Sequence, residues 1–241
     1  MIPARAVLFD LDGTLVDPAG AITGGILHAL RRNGIADPGR ERLDAMVGPP
    51  LAESLLALPG MTDALLPEVI ADYRAEYAAR GMAASRVYPG LRGLLSRLRA
   101  EGTALAVATS KPEPIALRLL EVQGLLDAVD SVHGTDLEET SHAGHGKAPL
   151  VAAALQTLGA DPAHAVMVGD RSFDVEGAHA NGIPCIGVSW GFALDGELAE
   201  AGADAVADDT DGLAGLLADL GPWAGAGSAP GSATGTDGGA S

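Results

Sequence analysis

The sequence predicts an α/β protein: a parallel, doubly wound sheet with helices on both faces, and a helical unit inserted early in the chain. Three observations predict it. Short apolar runs at 6–9, 104–108, 165–168 and 185–188, with a weaker one at 203–207, have the length and composition of buried strands. Helix-like segments of ten or more residues lie between them, the alternation that gives a parallel sheet. About ninety residues separate the first run from the second, far more than one crossover helix needs, so something is inserted there.

The first run ends abruptly in Asp10-Leu11-Asp12-Gly13-Thr14. A carboxylate at a strand end is costly unless it is compensated, and a metal ion with a phosphate is the compensation these residues suggest. The insert, residues 17–86, reads as helical throughout. Ile22, Ile26 and Leu30 form one apolar stripe after Pro18, and Asn33-Gly34 ends that helix. A second helix is expected over 39–47, a turn at Gly48-Pro49-Pro50, a short helix to Leu58 and a longer one over 62–79. Tyr88-Pro89-Gly90 marks the return to the main unit, where Leu91, Leu94, Leu95 and Leu98 make a helix that packs on the sheet. The expected division is a core of 1–16 plus 87–220, an inserted unit of 17–86, and a disordered Gly/Ser/Ala-rich tail of 221–241.

Composition excludes several functions. The net charge of −17 over 241 residues argues against binding nucleic-acid polymers or anionic membranes, both of which need clustered Lys and Arg. No apolar run approaches the roughly 18 residues of a membrane span, and the run before Asp10 is too short for a signal peptide. The lone cysteine, Cys185, cannot form an intramolecular disulfide, so a cytoplasmic setting is expected.

Three polar signals then fall at one structural address, the carboxyl end of an expected strand: Asp10 with Asp12, Thr109 with Ser110, and Asp170. Open α/β sheets bind ligands at that edge. Asp10 is the candidate nucleophile toward phosphorus, and Asp12 the candidate acid and base. Gly13 permits a tight turn, and Thr109 and Ser110 with nearby backbone N–H groups can hold phosphate oxygens. Asp170 and Asp174 offer the hard oxygen ligands that suit Mg²⁺. The chain has fifteen basic residues and only two are lysines, Lys111 and Lys147. A compact ammonium suits a crowded phosphate site, so Lys147 is read as the phosphate-orienting lysine; Lys111 is a candidate for the rim, and whether it joins the site is left open.

Singly, each residue has an ordinary explanation as a turn, a cap or a solvated side chain. Their joint occurrence at three strand ends points to chemistry. His142 and His145 lack the further ligands of a transition-metal site and read as loop residues. Tyr73 and Tyr77, one helical turn apart, read as packing against the main unit. The role of the loop around Trp190 is left open.

Asp10-Leu11-Asp12-Gly13-Thr14, Thr109, Lys147 and Gly169-Asp170-Arg171-Ser172-Phe173-Asp174 resemble, in order, the four motifs of the haloacid dehalogenase superfamily of phosphohydrolases. The resemblance covers roughly residues 5–220. It implies a Rossmann-like core with a mobile helical cap. It also implies Mg²⁺ held by Asp10, the backbone carbonyl of Asp12, and Asp170, with Asp174 in a direct or indirect role. Val47-Gly48-Pro49-Pro50-Leu51, Val87-Tyr88-Pro89-Gly90, Ala108-Thr109-Ser110-Lys111-Pro112 and Ala180-Asn181-Gly182-Ile183 are similar to the phosphoglycolate phosphatase-like branch, nearest to members described as 5′-nucleotidases. The Gly-rich stretch before Lys147 departs from that pattern.

The expected function is therefore a Mg²⁺-dependent phosphomonoesterase acting on a small phosphorylated metabolite through an aspartyl-phosphate, as a monomer or homodimer. Dehalogenases of this superfamily lack a second aspartate, and phosphonate-cleaving relatives use a cap lysine that residues 17–86 do not contain. A phosphosugar mutase and a non-catalytic phosphate-binding module are the alternatives.

Overall fold

The computed structural model describes residues 5–137 and 146–219. The expectations for His142, His145, most of the Gly-rich stretch before Lys147 and the 221–241 tail lie outside the described residues.

The chain begins with β1 (Ala6–Phe9), whose four side chains are all buried. A tight loop follows, closed by Gly13 N–H donating to the Val16 carbonyl and by Leu15 and Val16 N–H donating to the Leu11 carbonyl. It leads into β2 (Val16–Asp17). The insert then runs through α1 (Ala21–Arg32), α2 (Arg40–Ala45), α3 (Leu51–Leu56), α4 (Leu66–Glu76), a π-helical turn (Tyr77–Gly81) and α5 (Met82–Ala84). Strand β3 (Arg86–Val87) closes it by pairing antiparallel with β2, Val16 opposite Val87 and Asp17 opposite Arg86. Both ends of the insert thus pass through one two-stranded ribbon.

The remainder alternates: α6 (Leu91–Ala100), β4 (Ala104–Pro112), α7 (Glu113–Val122), β5 (Ser131–Thr135), α8 (Ala148–Leu158), β6 (Ala165–Gly169), α9 (Ser172–His179), β7 (Cys185–Val188), α10 (Glu197–Glu200), β8 (Ala205–Ala207) and α11 (Thr210–Asp219). The sheet has the order β5-β4-β1-β6-β7-β8 with every pair parallel. This is the expected α/β, Rossmann-like, doubly wound sheet. Successive strands run outward from β1 in one direction through β4 and β5, and in the other from β6 to β8. The reversal beside β1 opens a crevice at the carboxyl ends of β1, β4 and β6. Two apolar clusters cover the two faces, one extending into the insert through Ile22, Ile26, Leu30, Val69 and Tyr77, the other built largely on α8 and α9. Among the described residues no helix is long and apolar enough to cross a membrane.

The structure departs from the expected elements in five places, the first being the ribbon of β2 and β3, which puts Asp17 and Arg86 in paired strands at the ends of a stretch expected to be helical throughout. Strand β4 runs on to Pro112, so Thr109, Ser110 and Lys111 lie within its carboxyl end rather than after it. Strand β5 has no counterpart among the apolar runs, because it is a half-buried edge strand containing one branched apolar residue, Val132. The second helix of the insert is shorter than 39–47. The fourth begins at Leu66, because Thr62 accepts backbone N–H bonds from Leu65 and Leu66 and shapes a turn instead. That helix also continues past Ala79 through the π-helical turn, which adds one residue and rotates the following stretch.

The turn places Tyr77 inward, 2% exposed, and Gly81 packs directly on its ring. A Cβ at Gly81 would stand 2.4 Å from Tyr77 Cδ2, with backbone on one side and a buried ring on the other. Gly81→Ala therefore gains helix propensity of about 1 kcal/mol but overpacks the ring by about 1–3 kcal/mol. The expected outcome is a net loss of stability, measured as a lower urea midpoint at unchanged slope.

Candidate active site

The site stands where β1 stops. Asp10 extends the parallel ladder by one hydrogen bond, its N–H donating to the Val168 carbonyl at 2.9 Å, and its side chain is then free to leave the sheet. Asp12 follows in the tight loop. Thr109, Ser110 and Lys111 come from the end of β4, and Asp170 follows β6 directly. Lys147 immediately precedes α8, and Asp174 lies in the first turn of α9. Asn181 fastens those two helices together, donating to the carbonyls of Ala148 and Gly177 at 2.9 and 2.8 Å.

Each sequence-predicted residue reaches this crevice. The Lys147 ammonium lies 2.9 Å from Asp10 Oδ1 and 2.5 Å from Asp174 Oδ1. Asp174 Oδ2 accepts the Arg171 N–H at 3.0 Å, so both of its oxygens are engaged. Asp170 is held on both oxygens too, by the Thr14 hydroxyl at 2.8 Å and the Phe192 N–H at 2.8 Å. Gly13, at φ +88°, supports Asp170 from the other side: a Cβ there would fall 2.2 Å from Asp170 Oδ2, and one at Gly191 would fall 2.3 Å from the same atom. Thr109 Oγ1 accepts the Lys111 N–H at 3.3 Å. Thr109, Ser110, Asp10 and Asp12 together line a small cavity of about 60 Å³ between the core and the insert. Its far wall carries Ile22, Met46, Leu51, Tyr73 and Arg74.

Lys111 is not a rim residue. It is 7% exposed, its ammonium lies 2.6 Å from Asp12 Oδ2, and it sits 4.5 Å from the centre of the Tyr77 ring. The extension of β4 explains the correction, because it carries Lys111 beneath the insert instead of out into a loop. Tyr73 and Tyr77 stack on each other with centroids 5.8 Å apart, an inward packing. Arg171 is a second residue that the motif alone does not assign a partner. Buried, it donates to Glu197 Oε1 at 2.9 Å and to the Val47 carbonyl, tying the Val47–Gly48 loop of the insert to the core. Trp190 donates to the Thr14 carbonyl at 3.2 Å, which gives its loop a place in supporting the first turn of the site.

Electrostatics define what the site lacks. Four buried carboxylates, Asp10, Asp12, Asp170 and Asp174, face two ammonium groups, leaving two negative charges without a protein counter-charge. The carboxyls resist ionising together as a result. Burial first, then the neighbouring Asp10 and Asp174, pushes Asp170 up to about 8. Burial outweighs the pull of Lys147 and raises Asp174 to about 6. Burial also raises Asp12 against the opposing pull of Lys111. For both lysines burial alone would favour the neutral amine, but the carboxylate partners prevail and hold them charged.

Oxygens of Asp10, Asp170 and Asp174 lie within 4.8 Å of one another, forming a cluster that can hold a metal ion. The donors are all hard oxygens and the missing charge is two, which fits a divalent cation of the Mg²⁺ kind. The Asp12 carboxylate is outside that cluster, taken up by Lys111.

A strand-end aspartate, a carboxylate cluster short of positive charge and a roofed cavity at the sheet's topological reversal are the features of a hydrolase site of the haloacid dehalogenase kind. The chain belongs to the haloacid dehalogenase-like hydrolase family, whose sequence model matches residues 7–188. Over 188 residues it is 42% identical to the tyrosine-protein kinase PtkA of Mycobacterium tuberculosis, a match covering 78% of this chain and 63% of that protein's length. It is 37% identical over 193 residues to a 5′-nucleotidase of Pseudomonas aeruginosa, covering 80% of this chain and 86% of the relative. Among solved structures, a predicted phosphatase from Clostridium acetobutylicum superposes with a TM-score of 0.83 at 35% identity, over 90% of this chain and 100% of that one.

The charge deficit makes a pH prediction. In the metal-free folded chain Asp170 keeps its proton up to about pH 8, whereas in the unfolded chain it loses it near an ordinary 3.8. The folded state binds the extra proton between those limits, so stability falls as pH rises through that window. The melting temperature without divalent cation is expected to drop from pH 5.5 to pH 8, and added Mg²⁺ to raise it more at pH 8. A Mg²⁺ shift that is larger at pH 5.5 would contradict the assignment.

Proposed function

We propose that the protein is a Mg²⁺-dependent phosphomonoesterase acting on a small soluble phosphate ester. The observation that carries this reading is the joint placement of Asp10 and Asp12 in one roofed cavity with Thr109 and Ser110, beside Lys147. In this reading residues 17–86 serve as a cap over a core of 1–16 and 87–220.

Asp10 attacks the phosphorus of the ester. The P–O bond to the leaving group breaks, Asp12 gives its proton to the departing oxygen, and an aspartyl-phosphate remains on Asp10. Water then attacks that phosphorus, Asp12 takes its proton back, and inorganic phosphate leaves with the Asp10 carboxylate restored. The Thr109 hydroxyl, Ser110 and the backbone around Gly13 hold the phosphate oxygens, and Lys147, 2.9 Å from Asp10 Oδ1, orients them toward it. Asp10, the Asp12 backbone carbonyl and Asp170 would hold Mg²⁺, whose positive charge permits a carboxylate and a phosphate dianion to approach. Asp174, engaged by Lys147 and the Arg171 N–H, acts in this scheme by fixing the lysine.

The small cavity favours a compact ester such as phosphoglycolate, while the relatives named phosphoglycolate phosphatase and 5′-nucleotidase keep the nucleoside 5′-monophosphate class in this reading; the insert excludes bulk water from the site. Buried, unpaired Cys185 is compatible with a reducing cytoplasm. A second reading rests on the 42% identity with a relative named as a tyrosine-protein kinase: the phosphoryl group on Asp10 would pass to a tyrosine hydroxyl in place of water.

Phosphate release across phosphoglycolate, nucleoside monophosphates, hexose phosphates and pyrophosphate, with and without Mg²⁺, tests the proposal. ATP with a tyrosine-containing peptide is included for the second reading, and isomerised hexose phosphate is scored for mutase activity. Asp10→Asn is expected to abolish turnover, a fall of at least about 10⁴-fold, while the far-ultraviolet spectrum stays unchanged. Turnover in that variant near the parent rate would overturn the mechanism.

A further inference from the structure

Lys111 has no part in the phosphatase reading above, yet it makes the closest contact to its acid and base. Its ammonium is 2.6 Å from Asp12 Oδ2, with both side chains about nine-tenths or more buried. Asp12 Oδ1 has no hydrogen-bond partner among the described residues, so the carboxylate is anchored by one oxygen and one contact. Lys111 is anchored in turn from the insert, where the Tyr77 ring covers the ammonium at 4.5 Å. Tyr77 stacks on Tyr73, and Tyr73 borders the cavity on the side opposite Asp10. A continuous path of contacts therefore runs from the wall of the cavity, through two rings and an ammonium, to Asp12.

We propose that Lys111 is a positioning residue: it sets the orientation of the Asp12 carboxylate toward the leaving oxygen, and Tyr77 fastens it there from the insert. This rests on the phosphatase reading. A purely structural ion pair is a poor account of the arrangement. Replacing a buried ammonium–carboxylate pair by an apolar pair of the same volume is often neutral or stabilising, so stability alone gives no reason to keep it. The contact is also directional. A carboxylate held by one oxygen keeps a fixed rotamer while its second oxygen stays free of protein donors. An aromatic face holds the ammonium without competing for its protons. The insert thus reaches Asp12 through Lys111 without touching it.

The test uses leaving-group dependence, measured on the full chain with an alkyl phosphate that the wild type hydrolyses and an aryl phosphate bearing a nitrophenolate leaving group. The alkoxide needs a proton as it departs and the nitrophenolate does not. The readout is kcat/KM, which covers the steps up to phosphoryl transfer, so the later hydrolysis does not blur it. In Lys111→Met, kcat/KM for the alkyl ester is expected to fall by about 10²-fold or more and for the aryl ester by less than about fivefold. Both substrates are run on one preparation, so their ratio does not depend on the fraction that folds. Tyr77→Leu is expected to shift the ratio in the same direction by about threefold or more, and Tyr77→Phe, which keeps the ring, by less than about twofold.

Equal losses on the two esters in Lys111→Met would overturn the proposal, since they mark a residue that binds phosphate or merely supports the fold. An unchanged ratio in Tyr77→Leu would overturn the link to the insert. A wild type that releases phosphate from no ester would overturn the phosphatase reading and this proposal with it, an outcome distinct from an active wild type with an unchanged ratio.

Discussion

Four carboxylates gathered at one edge of a sheet, with only two ammonium groups to answer them, constrain everything around them. Burying such a cluster is costly unless its oxygens are hydrogen-bonded and its cations held. The second layer of the structure does most of this work. Thr14, the Phe192 N–H and the Arg171 N–H occupy oxygens of Asp170 and Asp174, and Lys147 bridges Asp10 and Asp174. The remaining deficit makes the site receptive to a divalent cation, and it explains why an acidic chain can present a place for an anion: a bound cation reverses the local sign.

The sheet supplies the geometry that makes the cluster possible. Strands β1, β4 and β6 are neighbours in space but come from residues 6–9, 104–112 and 165–169. Parallel pairing sets Phe9 beside Val107 and Val168. The residues just past that row, Asp10, Thr109 and Asp170 among them, are therefore delivered to the same place without any long loop. The insert leaves between the first of these ends and the second, so it stands over the crevice from the outset. Beside the crevice it meets the core through Arg171 to the Val47 carbonyl on one flank and Tyr77 over Lys111 on the other, in addition to the apolar cluster that the two share.

Most of this frame is legible in the sequence because apolar runs stop abruptly at polar residues, and a parallel sheet turns those stops into a site. Asp10, Asp12, Thr109 and Asp170 announce themselves in that way. Lys147 and Asp174 do so less directly, through the scarcity of lysine and the motif around Gly169. The structure brings all of them to one crevice. Lys111 is legible as a residue but not as a contact, since its partner lies 99 positions away and its direction depends on how far β4 extends. The four residues by which β4 outruns its apolar run, ending in a shifted pairing of Pro112 with Thr135, decide between rim and interior. Strand β5 is hidden for a different reason, because an edge strand need be apolar on one face only. The π-helical turn at Tyr77–Gly81 carries no local signal beyond the glycine, and the packing of the Tyr77 ring against that glycine accounts for it.

The two-residue ribbon of β2 and β3 has a consequence for how the insert and core meet. Both covalent connections leave the core side by side, so the insert is tethered at a single point with its working face always within reach of the crevice. Their encounter is intramolecular, governed by an effective concentration that dilution leaves unchanged. The apolar cluster that runs from the sheet into the insert, with the Arg171 and Lys111 contacts beside the crevice, therefore forms without the entropy cost of bringing two separate molecules together.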